Sequence, residues 1–243
     1  MLAIVKSMSL HGLDGYLIDV QVDVSSGLPH LEIVGLPDTS IKESKERVRT
    51  AIKNSEFEFP SRRIVVNLAP ADTRKEGAFF DLPIAIGILN ATENIVCENI
   101  EKYIFIGELS LDGKMNKVNG ILPMCIEAKK LGINKIILPK ENAKEASVVQ
   151  GLDVMAANTL LDVIKHLNGE KIIEPFSNID KNAFTKEQTY KYDFSDVKGQ
   201  ENIKRALEVS AAGGHNCLLI GSPGSRKNND GKKATKYIAR FDI

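Results

Sequence analysis

The sequence predicts an α/β fold, and three observations support this prediction. The segment LIDVQVDVSS, residues 17–26, alternates apolar and polar side chains, as a strand with one buried face does. From residue 102 onward, short apolar strands alternate with segments of helical periodicity, which requires crossover connections. With 43% hydrophobic residues, the chain can form an ordinary globular core. Its 32 basic and 32 acidic side chains cancel, so no net charge attracts nucleic acid to the protein as a whole.

The first half contains five more predicted segments. Ser40, with Glu43 three residues later, predicts a capping box at the start of the helix SIKESKERVRTAIKN. Gly77 lies in a polar loop between a strand and an apolar helix. In order, we predict a strand at 31–37, the helix from Ser40, a strand at 62–70, the loop at 71–80 and a buried helix at 81–91.

The second half repeats strand and helix as far as residue 168, so residues 1–168 are predicted to form one α/β domain. Residues 169–191 carry many charges and no sustained period, which predicts a linker. The elements of this half are predicted strands at 102–110, 135–139 and 152–157, and predicted helices at 121–132, 141–151 and 159–169.

A second unit is predicted to begin at residue 192. Its helix has Ile203, Ala206, Leu207 and Ser210 on one face, and two glycines end it. The apolar stretch CLLIG, residues 217–221, is predicted as a short buried strand.

This strand leads into an incomplete phosphate-binding loop. The Walker A pattern G-x-x-x-x-G-K-[ST] cradles phosphates with backbone N–H groups, neutralises them with lysine and binds magnesium with the hydroxyl. Here Arg226 replaces the second glycine and Asn228 replaces the hydroxyl, so we expect weak or absent ATP binding; the alternative is a chance GxPGS turn. The predicted nucleotide-binding residues are Gly221, Ser222, Pro223, Gly224, Ser225 and Lys227.

The tail at 226–243 is predicted to be frameshifted. One permissible choice of codons for the tail, shifted by one base, encodes G-K-T-M-M-A-K-K-L, which completes the Walker A pattern and begins an apolar helix. Arg226 and the residues after it, KNNDGKKATKY, instead include poor helix formers. The coding DNA tests this hypothesis.

Four stretches carry a family resemblance: DVKGQENIKRALEVSAAGGHNCLLIGSPGS, GLDGYLIDVQVDVSSGLPHLEIVGLPDTSIKESKERVRTAI, IVVNLAPADTRKEGAFFDLPIAIGIL and GELSLDGKMNKVNGILP. They are similar to magnesium-chelatase-like AAA+ proteins of the ComM/YifB type, over about residues 1–225. The resemblance implies a Lon-protease-type N-terminal α/β domain, followed at 192–225 by the first helix and strand of a P-loop AAA+ module. It also implies ATP and Mg²⁺ as cofactors, a homo-hexameric ring, DNA as partner, and helicase activity in branch migration during natural transformation.

Lon-type proteases use a serine in a glycine-rich loop and a lysine on a later helix. Laid over those segments, this chain has Phe79 at the serine position and Leu122 at the lysine position. Ser110 and Lys114 lie elsewhere, without an activating partner at a suitable spacing. The resemblance therefore implies a scaffold or binding module rather than a peptidase, and no catalytic residue is predicted.

Other candidate residues support simpler interpretations. Arg74 and Lys75 beside Phe79 and Phe80 combine basic and aromatic side chains, as in a nucleic-acid contact, but an exposed loop anchored by two core phenylalanines is favoured. The charged segment 42–49 is predicted to be a solvated helix face. The three cysteines are predicted to be buried thiols and the four histidines to bind no metal: Cys97, Cys125, Cys217, His11, His30, His166 and His215.

Three function classes remain open. The first is the N-terminal part of an ATP-driven DNA motor, inactive as an ATPase in the chain as written. The second is a non-enzymatic Lon-like binding module, and the third is a magnesium-insertion ATPase subunit, in whose family the ATPase module normally comes first. The sequence has no membrane-spanning run and no signal peptide, so a soluble cytosolic protein is predicted.

Overall fold

The structure, a computed structural model, describes residues 1–176, 194 and 199–218. Its contacts divide the chain into two compact units, Met1–Ile179 and Asp180–Ile243. The predicted boundaries after residues 168, 191 and 225 remain predictions.

The first unit alternates strands and helices after an initial hairpin. Its strands are β1 Leu2–His11, β2 Asp14–Ser25, β3 His30–Val34, β4 Arg63–Ala69, β5 Tyr103–Phe105, β6 Glu108–Leu109, β7 Met115–Asn116, β8 Lys135–Pro139 and β9 Asp153–Ala157. Its helices are α1 Thr39–Asn54, α2 Asp81–Ala91, α3 Ile121–Lys130, α4 Ala143–Ala146 and α5 Leu160–Leu167.

Seven strands form one mixed sheet in the order β3-β4-β2-β1-β5-β8-β9. The β1–β2 and β2–β4 pairs are antiparallel, and the other four pairs are parallel. The two halves of the sheet meet where Lys6 on β1 lies opposite Ile104 on β5. The short β6–β7 hairpin forms a separate sheet. This confirms the predicted α/β class.

Helices cover both faces of the sheet, and a hydrophobic core lies on each side. Alternate residues of β2 such as Val20 and Val22 pack with α1, α2 and α5 in one core. Met8 of β1 packs with α3 and α4 in the other. Helix α2 approaches the sheet so closely that a Cβ on Gly87 would lie 2.6 Å from a methyl carbon of Val22. This close approach explains a glycine in a helix interior.

Most predicted elements are confirmed within a few residues, and the helix at 81–91 agrees at both ends. Four details were wrong or missed. The strand β1 was not predicted. The N-cap of α1 is Asp38 rather than Ser40: the carboxylate of Asp38 accepts the N–H of Ile41 at 2.8 Å, so Ser40 begins no capping box. The strand predicted at 102–110 is broken into β5 and β6, and the helix predicted at 141–151 is a short turn followed by α4.

The second unit contains the helix α6, Glu201–Ala212. Leu207 and Ala211 are buried, and Leu207 packs with Phe194 and Ile203. Ala206, predicted on the same face, is exposed. The predicted strand at 217–221 lies mostly outside the described residues.

Candidate functional site

The predicted nucleotide-binding residues at 221–227 lie outside the described residues. The structure does describe the helix that precedes them. Helix α6 ends at Gly213, and the N–H of His215 donates to the carbonyl of Ser210 at 2.8 Å. Cys217 is exposed and Cys97 is half-buried, so the prediction that all three cysteines are buried is wrong for Cys217 and fully confirmed only for Cys125. The Walker A residues remain predictions.

The Lon-like loop, residues 70–80, is fastened to the segment before α1. The N–H of Lys75 donates to the carbonyl of Leu36 at 3.2 Å, and the N–H of Asp38 donates to the carbonyl of Lys75 at 3.0 Å. Asp38 also accepts the N–H of Gly77 at 3.2 Å while it caps α1. One carboxylate thus holds both the helix start and the loop.

Lys75 is buried inside this loop rather than exposed. Its amino group donates to the carbonyl of Thr73 at 2.7 Å and to the carbonyl of Pro70. Burial lowers the pKa of Lys75. Arg74 is exposed but lies 3.4 Å from Glu76. The nucleic-acid interpretation of this loop is therefore wrong for Lys75, which binds the chain's own carbonyl groups.

Phe79, which the resemblance places at the Lon serine position, is a packing residue. The centre of the Phe79 ring lies 4.7 Å from the centre of the Phe80 ring, and Phe80 is fully buried. Phe79 packs against both cores. Gly77 adopts φ 100° and ψ 151°, and a Cβ there would lie 2.6 Å from the Phe79 ring. This backbone region is accessible almost only to glycine. The favoured interpretation, an exposed loop anchored by two core phenylalanines, is confirmed for Phe80, whereas Phe79 is half-buried and Lys75 is buried rather than exposed.

Leu122, which the resemblance places at the Lon lysine position, lies in the first turn of α3. It is half-buried, and its backbone N–H donates to the carboxylate of Glu145 at 3.0 Å. The hydroxyl of Ser110 donates to Asn116 at 3.0 Å. Lys114 lies 2.8 Å from Asp112, which raises the pKa of Lys114 and keeps it protonated. A protonated lysine offers no general base to a serine.

Sequence reasoning missed a buried ion pair beside this loop. The Nε of Arg47 donates to Asp81 at 2.7 Å, and a second guanidinium nitrogen donates to the same carboxylate at 3.1 Å. Asp81 also accepts the N–H of Leu109 at 3.2 Å, so the pair joins α1, α2 and the β6–β7 hairpin. The hydrogen bond to Asp81 raises the pKa of Arg47. Burial raises the pKa of Asp81.

No residue pattern marked this pair in advance. Arg47 lies in the charged segment 42–49, whose predicted solvated face is therefore corrected at this position. Asp81 is the first residue of the apolar helix α2 and is fully buried. Only the packing of α1 against α2 brings the two side chains together.

In residues 1–176, 194 and 199–218, no group of three or more His, Cys, Asp or Glu side chains is arranged to hold a metal ion. Cys125 is buried, and burial raises the pKa of its thiol to about 12, which makes it a poor nucleophile or ligand.

None of the helices in the described part of the chain has the length and apolar character needed to span a bilayer.

Two protein-family models match the chain. The family described as "ChlI: Subunit ChlI of Mg-chelatase" matches residues 20–142, just over half of the chain. The family described as "Magnesium chelatase, subunit ChlI" matches residues 193–240, a span that includes the predicted nucleotide loop and most of the tail.

Similar proteins agree with the family models. The chain is 42% identical over 229 residues to the competence protein ComM of Haemophilus influenzae, a match that covers 93% of this chain and 44% of ComM. It is 43% identical over 226 residues to the YifB protein of Escherichia coli, with the same coverage of each chain. The chain thus spans less than half the length of these curated relatives.

A more distant similarity concerns the N-terminal domain. The chain is 25% identical over 182 residues to Lon protease 2 of Bacillus subtilis, which covers 68% of this chain and 32% of that protease. Together with the mixed, mostly parallel sheet, this similarity is consistent with the Lon-like N-terminal α/β domain predicted from the sequence. The chain belongs to the magnesium-chelatase-like family of ComM-type proteins.

Proposed function

We propose that this chain is the N-terminal part of an ATP-dependent DNA motor, a helicase that promotes branch migration in natural transformation. DNA is its partner, and the complete protein is a homo-hexameric ring in the cytoplasm that needs no membrane. ATP and Mg²⁺ are the cofactors of the intact family. The observation that carries the proposal is the 42% identity to ComM, which is named a competence protein.

The Lon-like domain serves this motor as a scaffold or binding module. Phe79 and Leu122, which the resemblance places at the Lon serine and lysine positions, are partly buried apolar side chains. Ser110 and Lys114 are engaged with Asn116 and Asp112. These contacts support a role in holding or presenting other parts of the protein, without peptide hydrolysis.

The chain as written binds ATP weakly or not at all. Arg226 places a bulky side chain where the backbone must turn beside the phosphates, and Asn228 offers magnesium no hydroxyl. With one permissible choice of codons, a one-base shift encodes glycine and threonine at these two positions. We therefore expect calorimetry with ATP and Mg²⁺ to show no micromolar binding to the 243-residue chain.

The decisive experiment starts from the coding DNA beyond codon 225. Where those codons permit the shifted reading, the frame-restored protein is expected to bind ATP, form rings and hydrolyse ATP faster with DNA than without. Lys227→Ala in the restored protein is the matched control, because it removes the phosphate-neutralising charge and leaves the fold alone. Branch migration of a synthetic four-way junction is then measured for both proteins. A restored protein that is monomeric and inert toward ATP with DNA present contradicts the motor.

The two other functions are separate outcomes of the same experiment. A protein that binds DNA or a protein partner without hydrolysing ATP is the non-enzymatic Lon-like module, which the packing of Phe79 favours. ATP hydrolysis stimulated by a tetrapyrrole, with magnesium insertion and no response to DNA, indicates the magnesium-insertion subunit named in the family description.

A further inference from the structure

The segment that follows α5, residues 170–176, lies along the first unit, and we call it the strap. Its first two N–H groups donate to the carbonyl of Lys165 at 2.9 and 3.1 Å. The N–H of Phe176 donates to the carbonyl of Val154 on the edge strand β9 at 2.8 Å. Ile173 and Phe176 are half-buried and pack against the two cores. A segment held by so few contacts can open without unfolding the domain.

The middle of the strap is bound by a histidine. The backbone N–H of Ile173 donates to Nδ1 of His166 at 3.0 Å. The residue His166 is only 8% exposed, and its Nε2 is buried without a hydrogen-bond partner in the described part of the chain. Because Nδ1 accepts, the imidazole is neutral and its single proton is on Nε2. A second proton would take Nδ1, the atom that holds the strap.

The surroundings of His166 disfavour that second proton. Tyr103 on β5 meets the imidazole edge to face at 5.9 Å, and Lys135 on β8 lies 5.2 Å above the Tyr103 ring. Burial lowers the pKa of His166, and the charge of Lys135 lowers it further. Asp162, on the same helix as His166, forms an ion pair at 3.6 Å with Lys171 of the strap.

Other charged groups near these elements do not compensate. Asp153 on β9 lies opposite Lys135 in the sheet register. Lys165 precedes the histidine on α5, and the strap itself carries Glu170 and Glu174. Within the described residues, none of these carboxylates contributes to the pKa of His166.

We propose that His166 and the strap form a proton-operated latch, in which protonation of Nδ1 places two N–H groups face to face and releases residues 170–176. The open strap is a free segment of seven residues, which spans up to about 25 Å when fully extended. The latch concerns the reach of that segment, so it is independent of the ATP site and of the proposed motor.

The direction with pH follows from the lowered pKa. The closed state requires neutral imidazole, so the latch is closed above the ordinary histidine pKa of 6.5 and opens as the pH falls below it. Linkage allows the opening constant to rise at most about tenfold between pH 7.5 and pH 5.5, the limit reached if opening returned His166 fully to its ordinary pKa of 6.5.

Hydrogen–deuterium exchange of the full 243-residue chain tests the latch. After correction for the intrinsic pH dependence of exchange, protection of the strap amides is expected to fall severalfold, up to about tenfold, from pH 7.5 to 5.5. His166→Asn supplies an Oδ1 acceptor near the place of Nδ1 that does not titrate, so its protection should not change with pH. His30→Asn, at an exposed histidine on β3, should respond as the unchanged protein does. Less than a twofold change in the unchanged protein, or an equal pH response in His166→Asn, overturns the proposal.

A second measurement needs no variant. In NMR spectra of the unchanged protein, the ring of His166 and the amide of Ile173 are expected to titrate together, with one midpoint below pH 6.5. An Ile173 amide that does not follow the ring, or a ring midpoint at or above 6.5, overturns the latch. Agreement of the two midpoints supports it even where His166→Asn does not fold.

Discussion

Replacing Arg47 by methionine tests whether the buried ion pair holds three elements of the first unit together. Methionine retains much of the apolar stem of arginine but removes both hydrogen bonds to Asp81, at 2.7 and 3.1 Å. The Asp81 side chain is 0% exposed, so its carboxylate stays desolvated and keeps the N–H of Leu109 as a donor. Removing one partner of such a pair leaves an uncompensated charge.

The magnitude follows from this burial. Breaking a buried pair costs about 3–5 kcal/mol, and we expect about 3 kcal/mol at pH 8 because the Arg47 side chain is 22% exposed and partly screened. This corresponds to a fall in Tm of about 6–12 °C. Burial already raises the pKa of Asp81, and the loss of Arg47 raises it further. Protonation of Asp81 therefore reduces the destabilisation as the pH falls toward 5.

The assay is urea unfolding followed by circular dichroism at 222 nm, at pH 8 and pH 5. Arg47→Met combined with Asp81→Asn is expected to recover part of the lost stability, because the buried amide carries no charge. Lys42→Met is the matched control, an exposed lysine on the same helix, with an expected change within about 0.5 kcal/mol. If Arg47→Met unfolds within 0.5 kcal/mol of the unchanged protein, or loses the same stability at both pH values, the reasoning is wrong.

Two further predictions concern the Lon-like domain. Gly77→Ala is expected to destabilise the protein by about 2 kcal/mol or more in a thermal melt, since alanine meets both a strained backbone and the Phe79 ring. Gly132→Ala has positive φ but open space around its Cβ, so a smaller cost of about 1 kcal/mol is expected there, and a cost at Gly77 no larger than the cost at Gly132 would contradict the expected strain and ring clash. Unfolded casein is expected to remain intact with the purified chain, and cleavage that disappears in Ser110→Ala would contradict the scaffold role.

The sequence predicted the elements whose burial follows a regular period. The strand β2 alternates cleanly because one of its faces lies on a core, and α2 is apolar on all sides because it is buried all round. The strand β1 was missed because it lacks this alternation. Ser7 is fully buried within it, and its hydroxyl donates to the carbonyl of Phe105 at 2.9 Å, a contact 98 residues away in the chain.

The candidate site was less predictable, because its contacts join distant segments. Ser40 and Asp38 are both good helix caps, and the additional N–H of Gly77 is a tertiary contact that favours Asp38. A lysine in a polar loop is normally exposed, yet this loop folds around the amino group of Lys75 and supplies carbonyl acceptors for it. Local patterns do not contain such information.

The order of strands in the sheet has a consequence for synthesis of the protein on the ribosome. The strand β1 lies in the middle of the sheet, and its hairpin with β2 can form as soon as residue 25 has emerged. Its other edge waits for β5, which ends at Phe105, about 80 residues later. At roughly 5–20 residues per second, that edge stays unpaired for about 4–16 s. During this interval the nascent chain displays an apolar template for pairing with other chains, so the first half of the sheet is where a chaperone has most to protect.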